Sequence, residues 1–115
     1  MLTIDFNNLD IYQVIRANFD DERIQQVLAT LPDEEREVLI DRAGINQDKL
    51  TRNAIAEKRG VTLEVVRGIE SRALKHLKHP ARVQMINSVL DPNFKISEKA
   101  QEYFNQFNNQ ANKKM

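Results

Sequence analysis

A chain of 115 residues, 41% hydrophobic and 30% charged, is long enough for one small domain and apolar enough to bury a core. It has no cysteine, which excludes disulfides and thiolate metal sites, and no apolar run near the ~20 residues of a membrane span. The net charge is zero, yet residues 1–50 carry five Lys/Arg against eleven Asp/Glu, while residues 51–82 carry eight against three. That basic block is the electrostatic footprint expected of a nucleic-acid surface, or else a solvated helix face. The start, "MLTIDFNNLDIYQ", has no basic region ahead of an apolar stretch, so a soluble cytoplasmic protein is expected.

The chain reads as helices throughout, an all-α class. Ile11, Ile15 and Phe19 recur at helical spacing, with Tyr12 beside them, and predict a helix over 8–18. Asp20 or Asp21 caps a second, over 21–30, with Ile24, Val27, Leu28 and Leu31 as its stripe. Pro32 opens a third, with Asp33, Glu34 and Glu35 at its positive end and Gly44 ending it in the left-handed conformation. Val38, Leu39 and Ala43 are expected to face inward. After the loop "GINQDKL", Thr51 caps a helix over 52–59, Gly60 makes a tight turn, and Thr62 caps a helix over 63–78. His79-Pro80 separates this from a helix over 81–90 with Val83, Ile86, Val89 and Leu90 as its stripe. Asp91-Pro92 breaks that helix, and Ser97 caps a last one with Ala100, Phe104 and Phe107 on one side. The end, "NQFNNQANKKM", is expected to fray.

The stretch "AIAEKRGVTLEVVRGIE" has the spacing of a helix-turn-helix. Ile55, Ala56, Val61, Val66 and Ile69 stand where two crossing helices meet. Ala56 is small because the second helix crosses close to it. Gly60 sits where the turn needs a positive φ, which costs least without a Cβ.

The longer pattern "LATLPDEEREVL" followed by "LTRNAIAEKRGVTLEVVRGIESRALKHLKHPARVQMINSVL" resembles the fourth region of bacterial housekeeping-type sigma factors. The resemblance covers residues 27–91 and is most specific in "IESRALKHLKHPAR". It leaves a helical extension over 1–26 and a C-terminal helix with a polar tail over 92–115. It implies a domain that contacts double-stranded promoter DNA at the −35 element and docks on the flap of the RNA polymerase β subunit.

Carried over residue by residue, the resemblance makes Thr62, Leu63, Glu64, Arg67, Gly68, Ser71, Arg72, Lys75 and Lys78 the DNA-facing set, with Arg52 at the preceding helix start. Thr62, Glu64 and Arg67 match the family's pattern. Leu63 stands where the family has an arginine that reads guanine, Val65 where a basic residue is usual, and Gly68 where a glutamine is usual. Leucine can touch only a thymine methyl, and the lost bidentate contact is worth ~1–3 kcal/mol of discrimination. Arg72, Lys75 and Lys78 keep phosphate-type charges, and His76 stands where another basic residue is common. Phosphate contacts position and base contacts specify, so weak DNA binding with little or altered sequence preference is expected. Arg52 opposes its helix dipole unless an anion neutralises it; a phosphate or plain solvent exposure would account for it.

No catalytic constellation, cofactor or metal is expected. His76 and His79 have no third ligand beside them and read as a weak phosphate contact and a helix-end residue. Glu34, Glu35 and Glu37 read as solvated surface. Tyr103, Phe104 and Phe107 read as core, or else as a docking helix. The chain lacks the aromatic-rich region with which a complete sigma factor melts DNA. It is therefore expected to be a stand-alone, nucleoid-associated transcription factor that binds RNA polymerase and contacts DNA through residues 62–78. One rival is a sigma mimic that docks on the flap, or on a sigma-binding regulator, without reading DNA. Another is a dimeric helix-turn-helix repressor.

Overall fold

A computed structural model describes residues 10–113. Residues 8 and 9 of the first predicted helix, and the last two of the tail, lie outside the described residues. Seven helices and no strand are found among the described residues: α1 Ile11–Ala17, α2 Glu22–Ala29, α3 Asp33–Ala43, α4 Arg52–Arg59, α5 Leu63–Leu77, α6 Pro80–Leu90 and α7 Glu98–Lys113. The chain is all-α, as its periodicity predicts. None of these helices is long and apolar enough to cross a membrane.

The helix starts follow local chemistry. Asp10, Asp21, Thr51 and Thr62 cap α1, α2, α4 and α5, each side chain accepting from a backbone N–H of the first turn. Pro32 precedes α3, whose first turn holds Asp33, Glu34 and Glu35. α6 starts one residue earlier than predicted, because His79 caps it through Nδ1 to Ala81 N (3.1 Å) and Pro80 takes the first helical position. α7 does not stop at the asparagine-rich stretch but continues to Lys113.

α3 is the hub. It packs against α1, α4 and α5, while α6 packs against both α2 and α7. Adjacent residues of α3 feed two cores. Val38 joins Ile55, Ala56, Val66 and Ile69 inside the helix-turn-helix. Leu39 and Ala43 join a larger core with Ile15, Ile24, Leu28, Leu77, Ile86 and Phe104. α5 is divided in the same way: Val66 and Ile69 hold the turn, and Ala73 and Leu77 anchor the helix in the larger core. α1 and α2 thus share a core with the sigma-like segment.

Two apolar assignments shift. On α6 the buried residues include Ala81, Met85 and Ile86, while Leu90 is exposed, because the helix packs against both α2 and α7. Val61 stays 38% exposed instead of closing the turn. Phe104 is core, Tyr103 sits edge-on to it, and Phe107 sits edge-on to Tyr103.

The two left-handed glycines differ in what surrounds them. A Cβ on Gly44 (φ 76°) would lie 2.8 Å from Lys49 N and 2.9 Å from Gln47 O, both backbone. A Cβ on Gly60 (φ 67°) would meet nothing within 4 Å. Gly60→Ala is expected to cost only the left-handed strain, about 1 kcal/mol, and Gly44→Ala about twice that or more. Urea denaturation of the two variants checks the order.

Candidate nucleic-acid interface

α5 buries Val66, Ile69, Glu70, Ala73 and Leu77, so its opposite side faces solvent. There the structure brings together Glu64, Arg67, Gly68, Ser71, Arg72, Lys75 and Lys78. Thr62 stands exposed at the helix start, its Oγ1 3.3 Å from Val65 N. Leu63 is half-buried, and Val65 is 44% exposed. Gly68 has an ordinary helical φ, and a Cβ there would meet only Arg72 Nη1 at 3.5 Å. Neither backbone nor packing calls for glycine at that position.

The basic block is largely met from within the chain. Acids of α3 reach its cations: Asp41 holds Lys58 at 3.0 Å, Glu37 faces Arg59 at 3.6 Å, and Glu34 faces Arg72 at 3.7 Å. Glu64 faces Arg67 at 3.5 Å on α5 itself. Lys75 and Lys78 form no ion pair among the described residues. The charge asymmetry along the sequence is therefore, in large part, complementarity between α3 and the helix-turn-helix. The pairs of Arg67 and Arg72 are open to solvent and worth roughly 0–1 kcal/mol each, so phosphate can displace them.

Arg52 stays 45% exposed, yet it has an anion within the chain. Its Nε donates to Glu70 Oε1 at 2.5 Å, so the anion at the α4 start comes from the buried side of α5. Glu70 is 3% exposed and also accepts from Arg42 Nε (3.0 Å) and from the Tyr12 hydroxyl of α1. Burial alone would raise its carboxyl, but the hydrogen bonds from Tyr12, Arg52 and Arg42 outweigh it and hold the carboxyl below its ordinary value. Burial, and then the bond to Glu70, push the Tyr12 phenol up. The bond to Glu70 raises Arg52.

Two expectations are corrected nearby. Glu35 is not solvated surface: it is 3% exposed, and its Oε1 lies 2.7 Å from His76 Nδ1. His76 thereby ties α5 to α3 instead of standing as a free phosphate contact. Glu34 and Glu37 do face solvent.

Arg82, counted in the basic block, is 8% exposed. It donates from Nε to Thr30 Oγ1, from Nη1 to His76 O and from Nη2 to the Tyr103 hydroxyl, each at 2.8 Å. Thr30 ends α2 and His76 lies in the last turn of α5, so the guanidinium sits at two negative helix ends. His79 stacks on Tyr103 with centroids 4.6 Å apart, and burial followed by the Arg82 charge lowers its pKa. Sequence reading missed this role. A signal was present: Arg82 is in the first turn of α6, where a cation opposes the helix's own dipole. Among the described residues, no group of three or more His, Cys, Asp or Glu is placed to hold a metal ion.

Residues 27–79 match the family model for sigma-70, region 4. That segment spans α3, α4 and α5 with the last three residues of α2. No solved structure matches the chain. The helix-turn-helix thus lies in a segment similar to sigma-70 region 4, a DNA-binding and transcription-related domain.

Proposed function

We propose that this sigma region 4-like domain acts as a stand-alone transcription factor, binding RNA polymerase through its helical framework and promoter DNA through α5. The observation that carries the reading is the alignment of Arg67, Arg72, Lys75 and Lys78 on the open side of the helix that follows the turn. An α-helix fits the major groove, and four cations along it suit phosphates on either side. Arg67 and Arg72 exchange their exposed carboxylate partners for phosphate, while Lys75 and Lys78 have none to give up. With hydrocarbon and glycine at Leu63, Val65 and Gly68, affinity is mostly electrostatic and sequence preference slight.

A second reading has its own support. Val61 and Val65 are exposed large apolar side chains at the turn, and such side chains near one another often mark protein contacts. On that reading the domain is a sigma mimic that occupies the flap, or a sigma-binding regulator, without reading DNA.

Fluorescence anisotropy with duplex DNA at two salt concentrations, paired with a titration of the isolated flap domain, separates the two. Arg72→Ala with Lys75→Ala is expected to weaken binding to all sequences alike and to lower the salt slope by about two charges' worth. Flap binding should survive both the double substitution and salt that removes DNA. Flap binding without any DNA binding would favour the mimic.

A further inference from the structure

We infer that Val65, assisted by Val61 at the same helix start, reads the 5-methyl group of thymine in the major groove, so that the domain favours T·A-rich duplexes. This rests on the DNA-binding reading above and names the base chemistry that α5 selects.

In the first turns of this helix the bidentate readers of adenine and guanine are missing or engaged. Between Gly60 and Lys78 there is no Asn or Gln, the side chains that address adenine through paired hydrogen bonds. Arginine is the corresponding guanine reader, and both arginines of the exposed face lie against carboxylates, Arg67 against Glu64 and Arg72 against Glu34. What the first turn and the residue before its cap offer instead is hydrocarbon, with Val65 44% and Val61 38% exposed. The thymine methyl is the one apolar group on the major-groove base edges.

Close approach is built into the same face. Gly68 lies one turn beyond Val65, and only Arg72 Nη1, at 3.5 Å, would meet a Cβ there. A mid-helix glycine costs roughly 1 kcal/mol relative to alanine, and no intramolecular contact recovers it. Its bare backbone lets a groove wall come nearer than a side chain would. Charge complementarity identifies the occupant: Lys75 and Lys78 follow along the helix with no ion-pair partner among the described residues. They favour a polyanion over an apolar protein surface.

The test uses the full chain with two alternating duplexes, one of adenine and thymine and one of adenine and uracil. Uracil lacks only the methyl, so every hydrogen-bonding group stays in place. The thymine duplex is expected to bind about three- to fourfold more tightly for each methyl covered. Val65→Ala, a surface change, should bring the thymine-to-uracil ratio close to one. Lys78→Ala should weaken both duplexes and leave the ratio as it was. Equal binding of the two duplexes by the parent protein overturns the inference and leaves the DNA reading standing. A ratio that survives Val65→Ala overturns the assignment to that residue. Loss of flap binding in Val65→Ala, with no thymine preference in the parent, makes this a protein contact and overturns the inference. No binding to either duplex at low salt overturns both the inference and the DNA reading.

Discussion

Arg82→Met is expected to lower the free energy of unfolding by about 3 kcal/mol, one of the largest effects of any single substitution in this chain. The guanidinium is buried and donates three hydrogen bonds of 2.8 Å, to α2, α5 and α7. Methionine roughly fills the space but leaves the His76 carbonyl and the Tyr103 hydroxyl without that donor. A hydrogen bond from a charged donor contributes about 1.5–3 kcal/mol, and methionine's better packing offsets only part of the loss. Thr30 Oγ1 keeps its own bond to Val27 O at 2.7 Å, which limits the damage at α2. Chemical denaturation followed by far-UV circular dichroism gives the number, and thermal melting should fall by roughly 4 °C or more per kcal/mol. The salt slope of DNA binding should not change, because Arg82 lies inside. Unchanged stability with a lowered slope would mean that Arg82 works at the DNA surface.

Glu70→Gln is expected to cost about 2–3 kcal/mol at neutral pH and to flatten the acid limb of the stability curve. Glu70 receives Tyr12, Arg42 and Arg52, so the amide would set an NH₂ group against one of its donors and leave two guanidinium charges unmatched. Removing one partner of a fully buried ion pair costs about 3–5 kcal/mol. The lower figure applies here because Arg42 and Arg52 are partly open to water and can be re-solvated. The pH dependence follows from the direction of the shift. A carboxyl held below its ordinary value near 4.5 contributes stability that is complete above that value and is lost as pH falls through the folded-state value. The parent protein should therefore lose stability on acidification below about 4.5, and Glu70→Gln should lose less over the same interval. Denaturant titrations at neutral pH and across the acid range supply both measurements. Parallel acid limbs in the two proteins would show that Glu70 does not carry the pH dependence.

Features whose physics is local can be read along the chain. A cap needs one side chain two or three residues from the N–H it accepts, so Thr51, Asp21 and Thr62 are legible at sight, and all three cap their helices. Gly44 and Gly60 mark left-handed turns because the requirement lies in their own φ. The helical period of Ile55, Ala56, Val66 and Ile69 foretells the small core they form with Val38. Together with the sigma-like motifs, these made the all-α class and the helix-turn-helix readable before any coordinate.

The fate of the charges was settled by how the helices pack. Glu35 and Glu70 look like ordinary helix-surface residues until α3 and α5 cross, and the partners that bury them come from distant parts of the chain: His76 for one, Tyr12 and Arg42 for the other. Arg82 resembles one more cation of a basic block until three helices converge on it. The block itself reads as a patch, yet α3 lays Glu34, Glu37 and Asp41 against it, and among the described residues Lys75 and Lys78 are its exposed cations with no ion pair. The physical reason is one of scale. Caps, turns and helix periods are set within four residues or so, whereas whether a charge is solvated or buried depends on which helices pack around it.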